Sequence, residues 1–279
     1  MIPQRNLSLL SNRLAREGGR RIPETVLERD YCLAWFLVGL SKTSLTDLLA
    51  FKGGTAIKKC YVPNYRFSED LDFTMREIVS FETIQAGLAL VFEQVESDSG
   101  IQLQISRHDR HSHENSHTFY LGYEGPLPGA AIKEAKVDIT IQEKIVFPVV
   151  KEPVLKAYTE YEDLPGDARI SVYSINEIGA EKIVALLDPA RNEPRDLYDL
   201  WHLSTHKYVD LADLSEAVDL KMKFRKRELS DVKAGLIRTE ARLKKLWSVR
   251  LATQMALLPE FGEVYRAVLR GLRQAGFLV

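Results

Sequence analysis

Residues 52–73 read KGGTAIKKCYVPNYRFSEDLDF, and this stretch contains the two features from which the fold and the chemistry are predicted. The Gly-Gly-Thr triplet at 53–55 precedes a predicted helix, where backbone N–H groups and the positive end of the helix dipole suit phosphate. Fourteen residues separate the triplet from Asp70. Asp70 and Asp72 lie two apart on a predicted strand, so both carboxylates point to the same face. The stretch therefore predicts a phosphate-binding turn followed by a metal-binding strand.

Each half of this pattern also has an ordinary structural interpretation. A Gly-Gly-Thr triplet is a common tight turn before a helix, and two acids spaced by one residue are often the solvated edge of a strand. The sequence GxxxxGK[ST] is absent, so the turn is not a P-loop. The two halves together, at this spacing, favour phosphoryl or nucleotidyl transfer with divalent metal bound to carboxylates.

Asp138, within AKVDITI, is the candidate for a third carboxylate. The alternation along this predicted strand assigns one set of side chains to a buried face, namely Val137, Ile139 and Ile141. The opposite face then presents Lys136, Asp138 and Thr140. On spacing alone, Asp138 is equally well explained as an exposed strand acid.

The pattern of the whole chain predicts an α+β fold, with a mixed sheet over roughly residues 50–175. An N-terminal helical pair and a helical C-terminal bundle flank the sheet. SLTDLLAF (44–51) is predicted as a short helix running into Lys52, and Thr55 as the N-cap of the next helix. The predicted strands are DLDFTM (70–75), IQLQISRH (101–108), HTFYLGYE (117–124) and AKVDITIQEKIVF (135–147).

Composition excludes several classes of protein. Hydrophobic residues make up 45% of the 279 and charged residues 28%, as in an ordinary globular protein. No apolar run is long enough to cross a bilayer, so no membrane partner is expected. The two cysteines, Cys32 and Cys60, favour a reducing cytoplasm. The net charge of −1 excludes a protein that coats nucleic acid with its whole surface but allows a local basic patch.

Five segments in order resemble a known enzyme family: FKGGTAIKK, RFSEDLDF, KVDIT, EIGAEKIVALL and RDLYDLWHL. The chain is similar to the AbiEii/AbiGii toxins of type IV toxin–antitoxin systems, a branch of the DNA-polymerase-β-like nucleotidyltransferase superfamily. The resemblance implies an Mg²⁺-dependent, two-metal enzyme that uses an NTP. In several relatives the acceptor is the 3′ end of tRNA, and its blockage inhibits translation. An antitoxin encoded nearby is the implied partner.

The resemblance also implies roles for individual residues. Those expected at the nucleotide are Gly53, Gly54, Thr55, Arg66 and Ser68. Those expected to be catalytic are Asp70, Asp72, Asp138, Lys182 and Asp196, the first three as metal ligands. Lys182 would reach the nucleotide phosphates, and Asp196 would be a downstream acid with Asp199 beside it. The ordinary alternatives are a solvated helix lysine and acids that favour a helix start. Ser68 also stands where an added phosphate would block the site by charge repulsion.

The same resemblance implies a nucleotidyltransferase domain over residues 1–175, including the N-terminal helices. Residues 176–279 would form a helical domain that completes the active site and the acceptor surface. Within it, residues 221–250 hold eleven Lys or Arg against three acids, a net charge of +8. This segment is either a solvated helix face or a phosphate-binding surface for tRNA. Trp201 and Trp247 are predicted to lie in the core.

Four histidines gather in one short tract: His108, His111, His113 and His117. A polar hairpin loop is the favoured interpretation, ahead of contact with acceptor RNA or a transition metal. Two other functions remain open from the sequence. One is the same chemistry on a small molecule or a protein hydroxyl, and the other is a module that binds NTP without turnover and acts through a partner.

Overall fold

A computed structural model describes residues 1–17, 19–109, 114–129, 133–188, 191, 193–227 and 235–278. The chain divides into two compact units. The first comprises Met1–Glu143 and Val149–Val172, and the second comprises Lys144–Pro148 and Tyr173–Val279.

The first unit consists of a mixed sheet and its flanking helices. Its helices are α1 (Gln4–Arg16), α2 (Glu24–Ser41), α3 (Leu45–Leu48), α4 (Gly53–Ala56), which continues as a π-helix (Ile57–Tyr61), and α5 (Phe81–Ser99). Its strands are β1 (Leu49–Lys52), β2 (Leu71–Met75), β3 (Gln102–His108), β4 (Ser116–Glu124), β5 (Lys133–Thr140), β6 (Val149–Pro153) and β7 (Arg169–Tyr173).

These described strands form a seven-stranded sheet in the order β3-β4-β5-β2-β1-β7-β6. β2 and β5 pair in parallel, as do β1 and β7, whereas β1 and β2 are antiparallel. β4 pairs antiparallel with both β3 and β5. The predicted α+β fold with a mixed sheet flanked by helices is confirmed. The strand predicted over residues 135–147, however, ends at Thr140.

The prediction of one helix over SLTDLLAF is wrong in its second half. The helix stops at Leu48, and the next four residues are the strand β1. Short apolar runs do not distinguish a helix from a buried strand. Strand pairing makes residues 49–52 a strand rather than a helix, because β1 lies between β2 and β7 in the sheet. The correction matters because it places Lys52 at the end of a central strand.

Helix α2 forms the centre of the first unit's core. Every residue from Tyr31 to Leu40 is buried, as expected of a helix that is apolar on nearly all sides. Asp30, just before this run, makes a buried ion pair, since its Oδ1 lies 2.8 Å from Lys59 Nζ in the π-helix. Lys59 Nζ also donates to the Asp30 carbonyl oxygen at 2.7 Å. This pair attaches the helical segment after the glycine pair to the core.

The second unit is helical over most of its described residues. Its helices are α6 (Ile175–Leu187), α7 (Pro194–Thr205), a 3₁₀ turn (Ala212–Leu214), α8 (Ser215–Phe224), α9 (Gly235–Leu251) and α10 (Phe261–Gln274). Glu177, which is fully buried, accepts from the Val146 and Phe147 N–H groups at 3.1 and 2.9 Å. Lys221 Nζ lies 2.6 Å from Glu177 and donates to the Lys144 carbonyl oxygen at 2.7 Å. The segment 144–148 is thereby joined to this unit.

Among the described residues, none of the helices combines the length and the apolar character needed to cross a bilayer.

We expect Asp30→Ala to lower the free energy of unfolding by about 3–5 kcal/mol, because it leaves the buried Lys59 ammonium without its counter-ion. Urea denaturation of the purified protein measures this change. Asp47→Ala is the matched control, since Asp47 pairs with Lys151 at 2.8 Å while both side chains are about half exposed or more. Asp47→Ala should lower the free energy of unfolding by no more than about 1 kcal/mol. Equal effects of the two substitutions would contradict the proposed role of the buried pair.

Candidate active site

Four polar side chains form a row across the middle of the sheet. The strand register sets Lys52 of β1 opposite Asp72 of β2, and Asp72 opposite Asp138 of β5. Asp138 is in turn opposite Thr118 of β4. Neighbouring strands are about 4.8 Å apart, so the row brings two predicted carboxylates side by side.

The burial pattern shows that these carboxylates share the open face of the sheet. Leu71 and Phe73, on either side of Asp72, are buried, while Asp70 and Asp72 are half-buried. On β5 the predicted buried face is confirmed at Val137 and Ile139. The alternation of the pleat therefore directs Asp72 and Asp138 away from the core. Asp70, predicted as the first residue of the strand, lies just before β2, which begins at Leu71.

Two neighbours hold the Asp138 carboxylate. The Thr118 hydroxyl donates to Oδ1, and Lys136 Nζ lies 2.5 Å from Oδ2. Burial alone would lower the pKa of Lys136, but Asp138, Asp70 and Asp72 together raise it above the usual range. Lys136 is thus the local cation that offsets the three negative charges. At the other end of the row, Lys52 Nζ donates to the Thr140 hydroxyl at 3.0 Å.

The glycine pair lies directly against the carboxylates. Gly53 adopts φ +79°, and a β-carbon built there would meet Asp72 Oδ2 at 2.6 Å. Only glycine combines this backbone conformation with so close an approach. The helix begins at Gly53, so the prediction of Thr55 as its N-cap is wrong. Thr55 lies inside the first turn, and its hydroxyl donates to the Asp70 carbonyl oxygen at 2.5 Å.

The chain between the helix and β2 is held by buried cation contacts. Lys58 Nζ donates to the Tyr65 carbonyl oxygen at 3.2 Å and to the Tyr158 hydroxyl at 3.0 Å, and it lies 4.3 Å from the centre of the Phe67 ring. Burial lowers the pKa of Lys58. Arg66 and Ser68, both expected at the nucleotide, are buried in this segment. Their nucleotide-binding roles stay predictions.

The donor set suits Mg²⁺, which prefers carboxylate oxygens and is usually bound by one or two carboxylates together with substrate phosphates. Within the described part of the chain, no three His, Cys, Asp or Glu side chains converge into a ready-made metal cluster. Asp72 and Asp138 nonetheless lie side by side on one face, next to a turn whose glycine leaves room at Asp72, and Asp70 is close enough for its charge to act on the same Lys136. These residues fit a metal that is completed by a bound triphosphate.

In the second unit, Lys182 is the centre of a buried ion cluster. Its Nζ lies 2.7 Å from Asp196 and 2.8 Å from Asp199, and Arg191 Nε lies 2.8 Å from Asp196. Burial would raise the pKa of Asp196, but the charges of Lys182 and Arg191 outweigh it and hold this pKa below its usual range. Lys182 is therefore not a solvated helix lysine. Its role at the nucleotide phosphates, and that of Asp196, stay predictions.

The basic side chains of segment 221–250 lie in different environments in the structure. Lys221 is fully buried against Glu177 and belongs to the core rather than to a surface. Residues 228–234 lie outside the described part of the chain. Among the side chains of α9 that the structure describes, four basic ones are exposed: Arg242, Lys244, Lys245 and Arg250. Trp247 is buried, as predicted, and Trp201 is half-buried.

The histidine tract is only partly described. The rings of His108 and His117 lie 5.7 and 4.6 Å from Phe81 at the start of α5. His111 and His113 lie outside the described residues. Burial lowers the pKa of His117.

Three members of the site are not predicted as functional residues by the sequence. Lys52 follows a segment that is predicted as a helix, and Thr118 gives no signal because its partner Asp138 is 20 residues away. The alternation of β5 does place Lys136 on the correct face. Its position two residues before Asp138 is the signal that could identify it as a partner.

Comparison with known proteins identifies both a family and a fold. The family model described as "Nucleotidyl transferase AbiEii toxin, Type IV TA system" matches residues 35–270. The fold is similar to that of MenT4, a nucleotidyltransferase toxin from Mycobacterium tuberculosis H37Rv, with a TM-score of 0.69 and 19% sequence identity. The similarity covers 97% of this chain and 90% of that one. No curated protein sequence matches the chain.

Gly53→Ala should displace the Asp72 carboxylate and also place alanine at a positive φ, which costs about 1–2 kcal/mol. Gly100→Ala is the matched control, because Gly100 has φ +74° and a β-carbon added there would have nothing within 4 Å. Both variants should lose similar stability in urea, but only Gly53→Ala should lose affinity for Mn²⁺, a spectroscopic substitute for Mg²⁺. Unchanged Mn²⁺ affinity in Gly53→Ala would show that close approach to Asp72 is not required.

Asp196→Asn should destabilise the protein near neutral pH by about 3 kcal/mol, because a buried ion cluster loses one charge. The folded pKa of Asp196 is lower than the ordinary value of 3.8, so its stabilisation is complete above that value and is lost as pH falls through the folded pKa. The free energy of unfolding of the variant should therefore depend less on pH below about pH 4 than that of the wild-type protein. Urea unfolding across pH measures this, with the exposed Asp213→Asn as control. Identical pH profiles for wild type and Asp196→Asn would contradict the assignment.

Proposed function

The chain belongs to the AbiEii family of nucleotidyltransferase toxins of type IV toxin–antitoxin systems, and on that premise we propose that it transfers NMP from an NTP to the 3′ end of tRNA. The transfer is Mg²⁺-dependent and inhibits translation by blocking the tRNA end. The reacting groups lie on the open face of the first unit's sheet.

One observation carries the proposal: the register of β2 and β5 sets Asp72 directly opposite Asp138, and Asp70 lies just before β2. Like charges facing each other across strands are unfavourable, so this arrangement is expected where a cation binds. The Gly53 turn against Asp72 supplies the second requirement, since it begins a helical segment whose first N–H groups suit phosphate.

When bound, two Mg²⁺ ions would neutralise the triphosphate and lower the pKa of the attacking hydroxyl. Asp70, Asp72 and Asp138 would hold the metals, and Asp138 would also orient the acceptor 3′-hydroxyl toward the α-phosphate. Thr118 fixes the Asp138 carboxylate through a hydrogen bond. The Gly53–Thr55 turn receives the triphosphate through backbone N–H groups, so the pyrophosphate leaves on that side.

We also assign roles in this transfer to four further residues and to the basic side chains of α9. Arg66 and Ser68 lie just before the carboxylates and complete the nucleotide-binding segment. Lys182 contributes a positive charge for the phosphates, and Asp196 orients its ammonium, as their 2.7 Å ion pair supports. The exposed cations of α9 add affinity for the phosphate backbone of tRNA, which does not depend on sequence.

The biological setting follows from the same family. A type IV toxin acts together with an antitoxin, and we assign that role to a protein encoded nearby. The cytoplasm, which supplies NTP and tRNA, is the compartment that this activity requires. The free and buried state of Cys32 and Cys60 is consistent with it.

Asp72→Asn should reduce nucleotide transfer by at least about 10³-fold, because removal of a metal-binding carboxylate removes the charge that holds the cation. The assay incubates the protein with total tRNA, Mg²⁺ and each labelled NTP separately, and detects labelled tRNA on a denaturing gel. Expression of the variant should also lose toxicity.

Asp47→Asn is the matched control, because it removes a carboxylate from an exposed pair outside the site. It should retain full transfer. Full activity in Asp72→Asn would overturn the metal assignment. Pyrophosphate release, measured separately, without labelled tRNA would redirect the acceptor to a small molecule or a protein hydroxyl.

A further inference from the structure

A second row of side chains lies beside the carboxylates on the same open face of the sheet. The register sets Lys136 of β5 opposite Tyr120 of β4, and Tyr120 opposite Arg107 of β3. Tyr120 is two residues from Thr118, which bonds to Asp138, so the tyrosine ring is on the carboxylate face. The row continues the site toward the β3 edge of the sheet.

Arg107 and Tyr120 form a preassembled stack. The Arg107 guanidinium carbon lies 3.3 Å from the centre of the Tyr120 ring. Glu134 holds the guanidinium with contacts of 3.0 Å from both Nε and Nη2, and the Ser106 hydroxyl donates to Glu134 at 2.7 Å. The Arg107 side chain is nevertheless 53% exposed. Four side chains therefore fix a flat guanidinium surface, paired with the Glu134 carboxylate, that still faces solvent.

We propose that this Arg107–Tyr120 stack is the platform on which the terminal bases of a single-stranded polynucleotide acceptor bind. Bases stack on aromatic rings and on guanidinium planes, and this mode of binding tolerates different sequences. Lys136 lies between the platform and Asp138 and can contact a backbone phosphate. The inference rests on the proposed function and adds to it the site and the form of the acceptor.

The strand order favours the acceptor over the NTP as the occupant. The triphosphate turn follows β1, and Asp72 on β2 comes next, followed by Asp138 on β5. β4 and β3 lie on the far side of Asp138, about 5 and 10 Å further along the sheet. An acceptor on this platform approaches from the side opposite to the leaving pyrophosphate, as in-line attack requires.

The decisive test measures binding without turnover. A fluorescently labelled, short single-stranded oligoribonucleotide with a free 3′-hydroxyl is titrated with the protein in the absence of NTP, and anisotropy gives the Kd. Tyr120→Ala should raise the Kd about tenfold, since the stack is removed. Tyr120→Phe keeps the ring and should stay within about twofold of wild type. A blunt duplex of the same sequence should be insensitive to Tyr120→Ala.

Arg107→Ala tests the cation separately. It should raise the Kd, because the guanidinium plane on which a base stacks is removed. Arg169→Ala is the matched control, because Arg169 is an exposed strand arginine on β7, on the other side of β1. Its Kd should equal that of wild type.

In the transfer assay the KM for the RNA should rise in Tyr120→Ala while the KM for NTP stays constant.

Several outcomes would overturn the platform. The first is a Kd that neither Tyr120→Ala nor Arg107→Ala changes, and the second is an oligoribonucleotide that does not bind to the wild-type protein. The third is a rise in the KM for NTP rather than for RNA in Tyr120→Ala, which assigns the ring to the nucleotide. Misfolding of Tyr120→Ala, detected by its thermal midpoint, leaves Arg107→Ala as the deciding variant. A wild-type protein that binds the oligoribonucleotide through this stack but transfers no nucleotide to tRNA contradicts the proposed function and not the platform.

Discussion

Asp72 and Asp138 face each other across parallel strands, and the repulsion between these carboxylates is the constraint on which the rest of the site depends. Several neighbouring groups stabilise the two carboxylates or leave room for them. Lys136 supplies a positive charge at 2.5 Å, and Thr118 donates a hydrogen bond. Gly53 has no side chain that would displace Asp72. The site therefore holds its anionic face in place through its own side chains.

Buried lysines, rather than apolar contacts alone, join the functional segments to each unit. Lys59 attaches the segment after the glycine pair to Asp30 of α2, and Lys58 holds the chain that leads into β2. In the second unit, Lys221 and Lys182 join segments of chain through buried acids. A charge removed from water costs several kcal/mol unless it is paired, so each pair strongly favours one arrangement of the chain.

Much of the fold could be predicted because its signals are local. The alternation in β5 identified the buried Val137 and Ile139, and the strands predicted at 70–75, 101–108 and 117–124 correspond to β2, β3 and β4. β1 could not be recognised, since its four residues become a strand only through pairing with β2 and β7. The N-cap at Thr55 was wrong for a related reason, because Gly53 already starts the helix where a close approach demands glycine.

The sequence by itself identified the family of nucleotidyltransferases, through five segments whose order resembles that family. Residue types and their order are properties of the chain itself, so they are evident before it folds. Only the tertiary structure decided which groups surround the acids. Lys52, Thr118 and the Arg107–Tyr120 stack are brought to Asp72 and Asp138 by strand register, which depends on pairing between residues far apart in the sequence.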